Sequence, residues 1–319
     1  MNAHPLVRTV TGDLPAAQLG RTDAHEHVFL ASPQLAGEEF QDPSKAAEEL
    51  HLVRASGIDA VVDLTTIGLG RRPADLAAVS AATGVHVVAA TGYHRDAHYR
   101  GDHWVQRATR EQLLRAVVAD VRDGMDASDW TSPFRETSPA RAGIIKAGAS
   151  YQRISRGERL RLEVCVEAAV TTGVALAVHT EVGTAGPDVL DVAEAGGLPA
   201  SRVLLAHLDR NPDVEAHADL VQRGAVLVYD TVGRIKYRPD SVLLDLCEQM
   251  LERGHGASIV LGTDVGRRSM LRSHGGGPGM DVLGREFLPR LRRRVGEHAV
   301  TRLLVDTPAR FLALQGDAP

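Results

Sequence analysis

The chain has 319 residues, 44% of them hydrophobic, and carries a formal net charge of -5 at pH 7. This length suits one large domain or two small ones, and the acidic balance excludes the basic signature of a nucleic-acid-binding protein. No segment has the pattern of a signal peptide or the ~18 apolar residues of a membrane span, so we expect a cytoplasmic protein without a membrane partner. The two cysteines, Cys165 and Cys247, predict no disulfide framework.

Eight short apolar segments alternate with helical patterns along the chain, after a predicted hairpin over residues 6–14. The predicted strands cover residues 19–22, 59–64, 85–90, 142–146, 174–178, 203–206, 225–229 and 258–261. Most of them are continuously apolar, which is typical of strands buried on both faces. A helical pattern is clearest over 158–172, and Gly84 and Gly173 are among the glycines that stand where helices are expected to end.

This alternation of strands and helices predicts βαβ units and a parallel sheet. Eight such strands predict a closed (β/α)8 TIM barrel, which we interpret as a single domain over residues 1–319. The main irregularity is the stretch 93–141, which contains one predicted helix over 109–124 between polar loops. We interpret this stretch as an elongated loop and helix after the third strand, not as a second domain.

Side chains of the kinds that bind metals follow five of the eight predicted strands. They are, in chain order, His25, His27, Lys146, His179, His207 and Asp264. Active sites of these barrels lie at the C-terminal ends of the strands. Because residues two apart in an extended chain point to the same side, His25 and His27 can grip one ion. Each histidine alone is more typical of a core residue, but their coincidence at equivalent positions favours a metal site.

A lysine inside a buried strand, Lys146, is the most informative of these residues. Burying its charge is costly unless the charge is paired or removed. The side chain therefore either reaches solvent or a carboxylate, or loses its proton in a low-dielectric site. A neutral amine can react with CO₂ to give a carbamate, an anion able to bridge two metals.

The chain resembles the phosphotriesterase family of the amidohydrolase superfamily over nearly its whole length. The motifs that carry this resemblance are Val10-Thr11-Gly12-Asp13-Leu14, His25-Glu26-His27, Ala142-Gly143-Ile144-Ile145-Lys146, the histidines His179 and His207, Gly262-Thr263-Asp264 and Thr307-Pro308-Ala309-Arg310-Phe311. The combination is far more specific than any one of these motifs.

The resemblance implies a centre of two divalent metals. The first metal would be held by His25, His27 and Asp264, and the second by His179 and His207. Carboxylated Lys146 and a hydroxide would bridge them, with zinc as the first choice of metal and manganese, cobalt or iron as alternatives.

The same resemblance implies that the hydroxide attacks a carbonyl or phosphoryl centre, with Asp264 as both ligand and proton shuttle. Tyr93 either donates a hydrogen bond to the hydroxide or substrate, or is structural, and His94 is a further residue that reaches the site. Asp23 and Asp209 either orient the imidazoles or cap adjacent loops.

Basic residues in the loops after strands seven and eight bear on the substrate. They are Arg234, Lys236, Arg267 and Arg268. They either clamp a phosphate group, together with Ser269 and backbone of the glycine run 275–279, or are solvated loop charges. The sequence around Lys236 and Arg267 is similar to family members that open phosphorylated sugar lactones, although Met270 replaces an expected aromatic residue.

We therefore predict a lactonase acting on a small anionic lactone, perhaps of a phosphorylated sugar. The alternatives are a phosphotriesterase or an acyl-homoserine lactonase with the same metals, a deaminase, or a barrel that binds without turnover. The absence of a histidine in 229–237 weakens the triesterase alternative. The expected partners are a small-molecule substrate and, by resemblance, a second copy of the chain in a homodimer.

Overall fold

Eight parallel strands form the centre of the computed structural model, which describes residues 5–132 and 134–316. The order of the strands in the sheet follows the order of the chain. These strands are β3 (Thr22–Glu26), β4 (Ala60–Asp63), β5 (His86–Gly92), β6 (Ile144–Ala149), β7 (Ala175–Thr180), β8 (Val203–Ala206), β9 (Val226–Tyr229) and β10 (Ile259–Leu261). The backbone N–H of Asp264 donates to the carbonyl of His25 at 2.9 Å, which joins the last strand to the first. The predicted (β/α)8 barrel is confirmed.

Helices cover the outside of the barrel, and several have the predicted ends. Their bounds are α1 (Pro43–Ala55), α2 (Pro73–Thr83), α3 (Trp104–Arg107), α4 (Arg110–Arg122), α5 (Arg156–Thr172), α6 (Gly186–Ala195), α7 (Val214–Gln222), α8 (Asp240–Glu252), α9 (Leu288–Thr301) and α10 (Thr307–Leu312). Helix α5 begins with a capping box of Ser155 and Glu158 and ends at Gly173 in the left-handed conformation. In the part of the chain that the structure describes, no helix combines the length and apolar character needed to cross a membrane.

The predicted hairpin forms between β1 (Leu6–Thr9) and β2 (Gly12–Pro15) and lies at the N-terminal end of the barrel. Val10 N–H donates to the carbonyl of Val87, near the start of β5, at 2.9 Å. The Arg8 side chain is buried, donates to Asp13 at 3.0 Å and reaches the carbonyl of Val121 at 2.8 Å. The hairpin thus closes the end of the barrel opposite to the C-terminal ends of the strands.

Seven of the eight barrel strands differ from their predicted bounds at one end or both, and three of these differences involve a residue of the site. The first barrel strand runs over Thr22–Glu26 rather than 19–22, so that His25 lies within it. Strands β6 and β7 continue past Lys146 and His179, because the backbone pairs Lys146 with Ala177 and His179 with Ala206. A polar side chain that faces the barrel interior does not interrupt the backbone ladder, and for this reason it did not mark the end of the strand.

A glycine at the end of β5 allows close packing beside Lys146. Gly92 has φ +106°, and a Cβ there would overlap the carbonyl oxygen of Lys146. We expect Gly92→Ala to lower the free energy of unfolding by more than about 1 kcal/mol, because alanine is strained at this φ. Gly101→Ala is the control, since open space surrounds that position, and it should change stability by less than about 0.5 kcal/mol. Equal denaturant midpoints for the two variants would contradict this packing.

Candidate metal centre

The six predicted ligands meet at the C-terminal ends of the barrel strands. Lys146 Nζ lies 3.3 Å from His25 Nε2, and His207 Nε2 lies 2.8 Å from His179 Nδ1. Asp264 Oδ1 is 3.6 Å from His25 Nε2 and 3.5 Å from His27 Nε2. All six residues are buried, and five of them line the floor of a cavity of about 380 Å³.

Two of these residues adopt uncommon backbone conformations. His207 has φ +67° and Asp264 has φ +49°, the left-handed region that side chains other than glycine rarely adopt. Such residues cluster at functional sites, where surrounding contacts hold them in place. His207 follows directly after β8 and Asp264 lies three positions beyond the end of β10, and both side chains line the cavity.

Each of the four imidazoles has one ring nitrogen held by a neighbour. The pairs are His25 Nδ1 with Asp230 Oδ2 at 2.7 Å, His207 Nδ1 with Asp230 Oδ1 at 2.8 Å, His179 Nε2 with Glu181 Oε2 at 2.8 Å, and His27 Nδ1 with Thr65 Oγ1 at 2.8 Å. A carboxylate can only accept, so it fixes the proton on the nitrogen that faces it. Thr65 donates its own proton to the carbonyl of Phe29 at 3.1 Å, so it accepts from His27.

These outer partners leave the second nitrogen of every imidazole as a lone pair that faces the centre. His179 Nδ1 and His207 Nε2 are then two lone pairs only 2.8 Å apart. Such a contact is repulsive unless a cation or a proton lies between the nitrogens. The donor set therefore fits divalent metal ions, which prefer neutral imidazole and carboxylate ligands.

Burial keeps the imidazoles of His25, His179 and His207 neutral. Desolvation, followed by the charge of Lys146, lowers the pKa of His25 to about 4. Desolvation and Arg210 lower the pKa of His207 to about 3, and desolvation and His207 hold the pKa of His179 well below its ordinary value. A neutral imidazole is the form that binds a metal, so the cluster is ready to bind without first losing protons.

The amine of Lys146 is buried among these rings rather than reaching solvent. Desolvation lowers its pKa to about 8, although the charges of Asp264 and Asp230 oppose this shift. The amine is therefore much more easily deprotonated than that of an exposed lysine. This agrees with the interpretation that Lys146 loses its proton in a low-dielectric site. A neutral amine is the reactant that forms a carbamate.

The carboxylate of Asp264 has one oxygen toward the histidines and one toward two arginines. Arg210 donates to Oδ2 at 2.7 Å, and Arg234 donates to the same oxygen. Both guanidinium groups lie over the ring of Tyr237, at 4.4 and 5.1 Å from its centroid. Burial raises the pKa of Asp264, but Arg234 and His25 outweigh this effect and hold the pKa well below its ordinary value.

Asp230 and Arg210 are residues of the site that the sequence analysis missed. Asp230 is fully buried directly after β9 and accepts from both His25 and His207. Burial raises its pKa, but His207 and His25 hold it well below the ordinary value. The sequence does contain a signal for Asp230, because this aspartate follows an apolar strand as Asp264 and His207 do.

Several predicted residues lie elsewhere. The hydroxyl of Tyr93 donates to the carbonyl of Leu113 at 2.8 Å, away from the cavity, so the predicted catalytic role of this tyrosine is wrong. Asp23 accepts from the backbone of His25, and Asp209 accepts from Thr231. These two aspartates hold loops, and neither touches an imidazole in the described structure.

The predicted phosphate clamp is only partly assembled. Lys236, Arg267 and Arg234 line the cavity, whereas Arg268 does not and lies in a separate surface depression with Glu38. The glycine run 275–279 also lies outside the cavity. A Cβ at Gly276 would overlap the carbonyl of Ser269, so the close approach is to the protein's own backbone and not to a ligand.

Further polar residues line the cavity wall. His94 lies there, as expected, with its ring 3.7 Å from that of His98 and 4.8 Å from that of His179. Arg95 also faces the cavity, and its guanidinium pairs with Glu181 at 2.8 Å. The carboxylate that orients His179 is thus itself held by an arginine.

A (β/α)8 barrel with four neutral imidazoles, a carboxylate and a lysine at the C-terminal ends of its strands defines a metal-dependent hydrolase. Residues 5–312 match the model of the Phosphotriesterase family. The chain belongs to this family, whose members have a binuclear metal centre, as the resemblance predicted.

Known proteins of this kind share the whole fold. A phospho-furanose lactonase from Mycoplasmopsis synoviae (strain 53) is 30% identical over 322 residues, covering 96% of this chain and 91% of that protein. The crystal structure of an amidohydrolase from Mycoplasma synoviae has a TM-score of 0.93 at 29% identity, with 98% and 93% covered. A lactonase from Listeria monocytogenes has a TM-score of 0.90 at 25% identity, with 98% and 100% covered.

Proposed function

We propose that this protein is a lactonase that opens the five-membered lactone of a phosphorylated sugar. The observation that carries this proposal is the pair of available cations beside the metal centre. Lys236 forms no ion pair with the residues described, and Arg267 approaches Glu38 only at 4.0 Å. Both line the same cavity as the histidines, so one small substrate can reach both features. The name of the relative from Mycoplasmopsis synoviae supports the same substrate class.

Two divalent ions, with zinc as our first choice, would be held by this donor set. His25, His27 and Asp264 would hold one ion and His179 and His207 the other, with Lys146 as a bridging carbamate. Ions bound there would act as Lewis acids toward a carbonyl oxygen and would lower the pKa of a coordinated water.

The chain's own residues then position the substrate and handle charge. Lys236 and Arg267 bind the phosphate, which places the lactone carbonyl toward the histidines. In the reaction, a water oxygen bonds to the carbonyl carbon and the ring C–O bond breaks. The ring oxygen becomes a hydroxyl, and the new carboxylic acid releases one proton at neutral pH.

Arg210 and Arg234 have a different role from the clamp. Because both donate to Asp264, they fix this carboxylate, whereas Lys236 has no carboxylate partner among the described residues. Among the described residues that line the cavity, Asp264 and Glu181 are the carboxylates, and Glu181 is paired with Arg95 and His179. Asp264, which the two arginines orient, is thus the carboxylate placed to accept a proton from the attacking water.

A pH-indicator assay of the metal-loaded protein tests the proposed function. The substrates are matched furanose lactones with and without a phosphate group, a long-acyl homoserine lactone and a phosphotriester. We expect acid release mainly from the phosphorylated lactone. Turnover restricted to the acyl-homoserine lactone or to the triester would overturn the proposal in favour of that substrate class.

The phosphate clamp predicts a change of specificity. In Lys236→Gln and Arg267→Gln, the KM for the phosphorylated lactone should rise by about 10- to 100-fold, because a hydrogen bond to a charged group contributes about 1.5–3 kcal/mol. Turnover of the unphosphorylated lactone should change little. Arg268→Gln is the matched control, since this neighbouring arginine lies outside the cavity. An equal effect of all three substitutions would show that only the overall charge matters.

The homodimer expected from the resemblance stays a prediction. One chain has a mass of 34.1 kDa, so light scattering should give twice this mass for a dimer. A mass of one chain at micromolar concentration would contradict it.

A further inference from the structure

A second and larger cavity lies on the outer helices, away from the metal centre. Its volume is about 840 Å³, and it shares no lining residue with the cavity that holds the histidines. It lies between α3, α4 and the loop that follows α4. We call it the tryptophan groove. Its lining includes Asp102, Trp104, Arg107, Arg115, Trp130 and Arg135.

Both tryptophans of the chain line this groove. The rings of Trp104 and Trp130 lie 6.2 Å apart between centroids, at an interplanar angle of 40°. The Nε1 of Trp130 donates to Asp120 at 3.1 Å. The Nε1 of Trp104 is buried and has no hydrogen-bond partner among the described residues. Neither indole N–H is therefore available in the groove, to which the two rings present apolar surface.

The Trp130 ring is held in place by a network beneath it. Asp129 and Trp130 have φ +54° and +59°, an uncommon conformation for two successive residues with side chains. Asp129 accepts hydrogen bonds from the backbone N–H groups of Gly68, Gly70 and Arg71, and from Arg71 Nε at 2.6 Å. Asp126 accepts from the backbone N–H of Trp130 at 2.9 Å. The groove is therefore formed before any ligand binds.

Positive charge surrounds the two rings. Arg107 and Arg115 line the groove and form no ion pair with the residues described. Arg135 lies over the Trp130 ring at 5.7 Å and approaches Asp123 at 3.4 Å. The acidic residue of the lining is Asp102, and Glu111 is close enough to Arg115 to feel its charge. The lining itself therefore carries three guanidinium groups and one carboxylate, and the nearby carboxylates of Glu111 and Asp123 lie outside it.

We propose that the tryptophan groove is a binding site for a flat aromatic anion. The ring of such a ligand packs against the two indoles, which favour stacked or edge-to-face aromatic contacts. Its carboxylate, sulfonate or phosphate group pairs with Arg107 or Arg115. The proposal is independent of the lactonase activity, because no residue of the groove lines the metal centre.

Intrinsic fluorescence tests this site, since both tryptophans belong to it. The metal-loaded protein is titrated with 1-anilinonaphthalene-8-sulfonate and, in parallel, with N-phenyl-1-naphthylamine, the same ring system without the acidic group. We expect saturable quenching of tryptophan emission by the sulfonate, with at least about tenfold weaker binding of the uncharged compound. Equal affinity for the two probes would overturn the proposal, because the arginines would then have no role.

Variants locate the bound probe. Arg107→Gln combined with Arg115→Gln should weaken binding of the sulfonate by about tenfold or more. Arg159→Gln, an exposed arginine of α5 outside the groove, and Lys236→Gln, in the metal cavity, should leave it unchanged. The proposal fails if the double variant binds as the unaltered protein does, or if Lys236→Gln weakens binding as strongly. It also fails if the double variant changes the molecular mass of the protein in solution but not its affinity for the sulfonate. The groove would then be an interface between copies of the chain.

Discussion

Replacement of Lys146 by alanine is expected to lower metal content and to reduce turnover by more than about 100-fold. This loss exceeds the 10- to 100-fold that is typical of residues which only orient metal ligands. The reason is the position of the amine, buried and 3.3 Å from His25 Nε2 at the centre of the cluster. Without it, four imidazoles and one carboxylate would remain to hold two ions, and the bridging carbamate would be missing. Metal analysis and the pH-indicator assay measure the two effects.

The cavity left by this substitution provides a rescue experiment. A short carboxylate such as acetate can occupy the space of the missing side chain and supply the bridging anion. We expect added acetate to restore part of the metal content and turnover of Lys146→Ala. Lys146→Met, which fills the same space with apolar atoms, should lose both properties and not respond to acetate. Two bound metals and full turnover in Lys146→Met would show that the lysine has no bridging role.

Asp230→Asn is expected to weaken metal binding by about 10- to 100-fold with little change in the fold. The two oxygens of this carboxylate accept hydrogen bonds from His25 Nδ1 and His207 Nδ1. An asparagine has only one oxygen, and its amide N–H₂ would face one of these rings. That imidazole must then turn over or change tautomer, and it no longer presents its lone pair to the metal. Titration with Zn²⁺ in competition with a chromophoric chelator measures the change.

Asp209→Asn is the matched control for this substitution. Asp209 is also a buried aspartate beside the barrel mouth, but it accepts from the backbone N–H and hydroxyl of Thr231 and touches no imidazole in the described structure. An asparagine oxygen can accept both of these hydrogen bonds, so metal affinity should be unchanged. Equal losses in the two variants would mean that Asp230 acts only through general packing or charge.

The sequence was sufficient to predict the barrel and the cluster of six side chains at its mouth, because both depend on local patterns. Apolar runs followed by His179, His207 or Asp264 place these side chains near the C-terminal end of a parallel strand, and these ends meet in a barrel. The phosphotriesterase family was recognised from the same residues together with Lys146. None of these inferences required knowledge of how a side chain is oriented.

The remaining residues of the site depend on contacts between distant parts of the chain. Arg210 pairs with Asp264 across 54 positions, and Asp230 meets His25 across 205. Neither pairing leaves a local pattern. The misplaced prediction for Tyr93 has the same origin, since its position after β5 is correct but the side chain points to Leu113 in α4. Arg268 likewise neighbours Arg267 in sequence and faces another part of the surface.

We propose that His25, His27, His179 and His207 are arranged to hold two metal ions. This arrangement is tested most directly by the metal content of protein that has been loaded with Zn²⁺, desalted and analysed by inductively coupled plasma mass spectrometry. The geometry of His25, His27, His179 and His207 predicts two ions per chain. One ion per chain, or none, in folded protein would contradict the account.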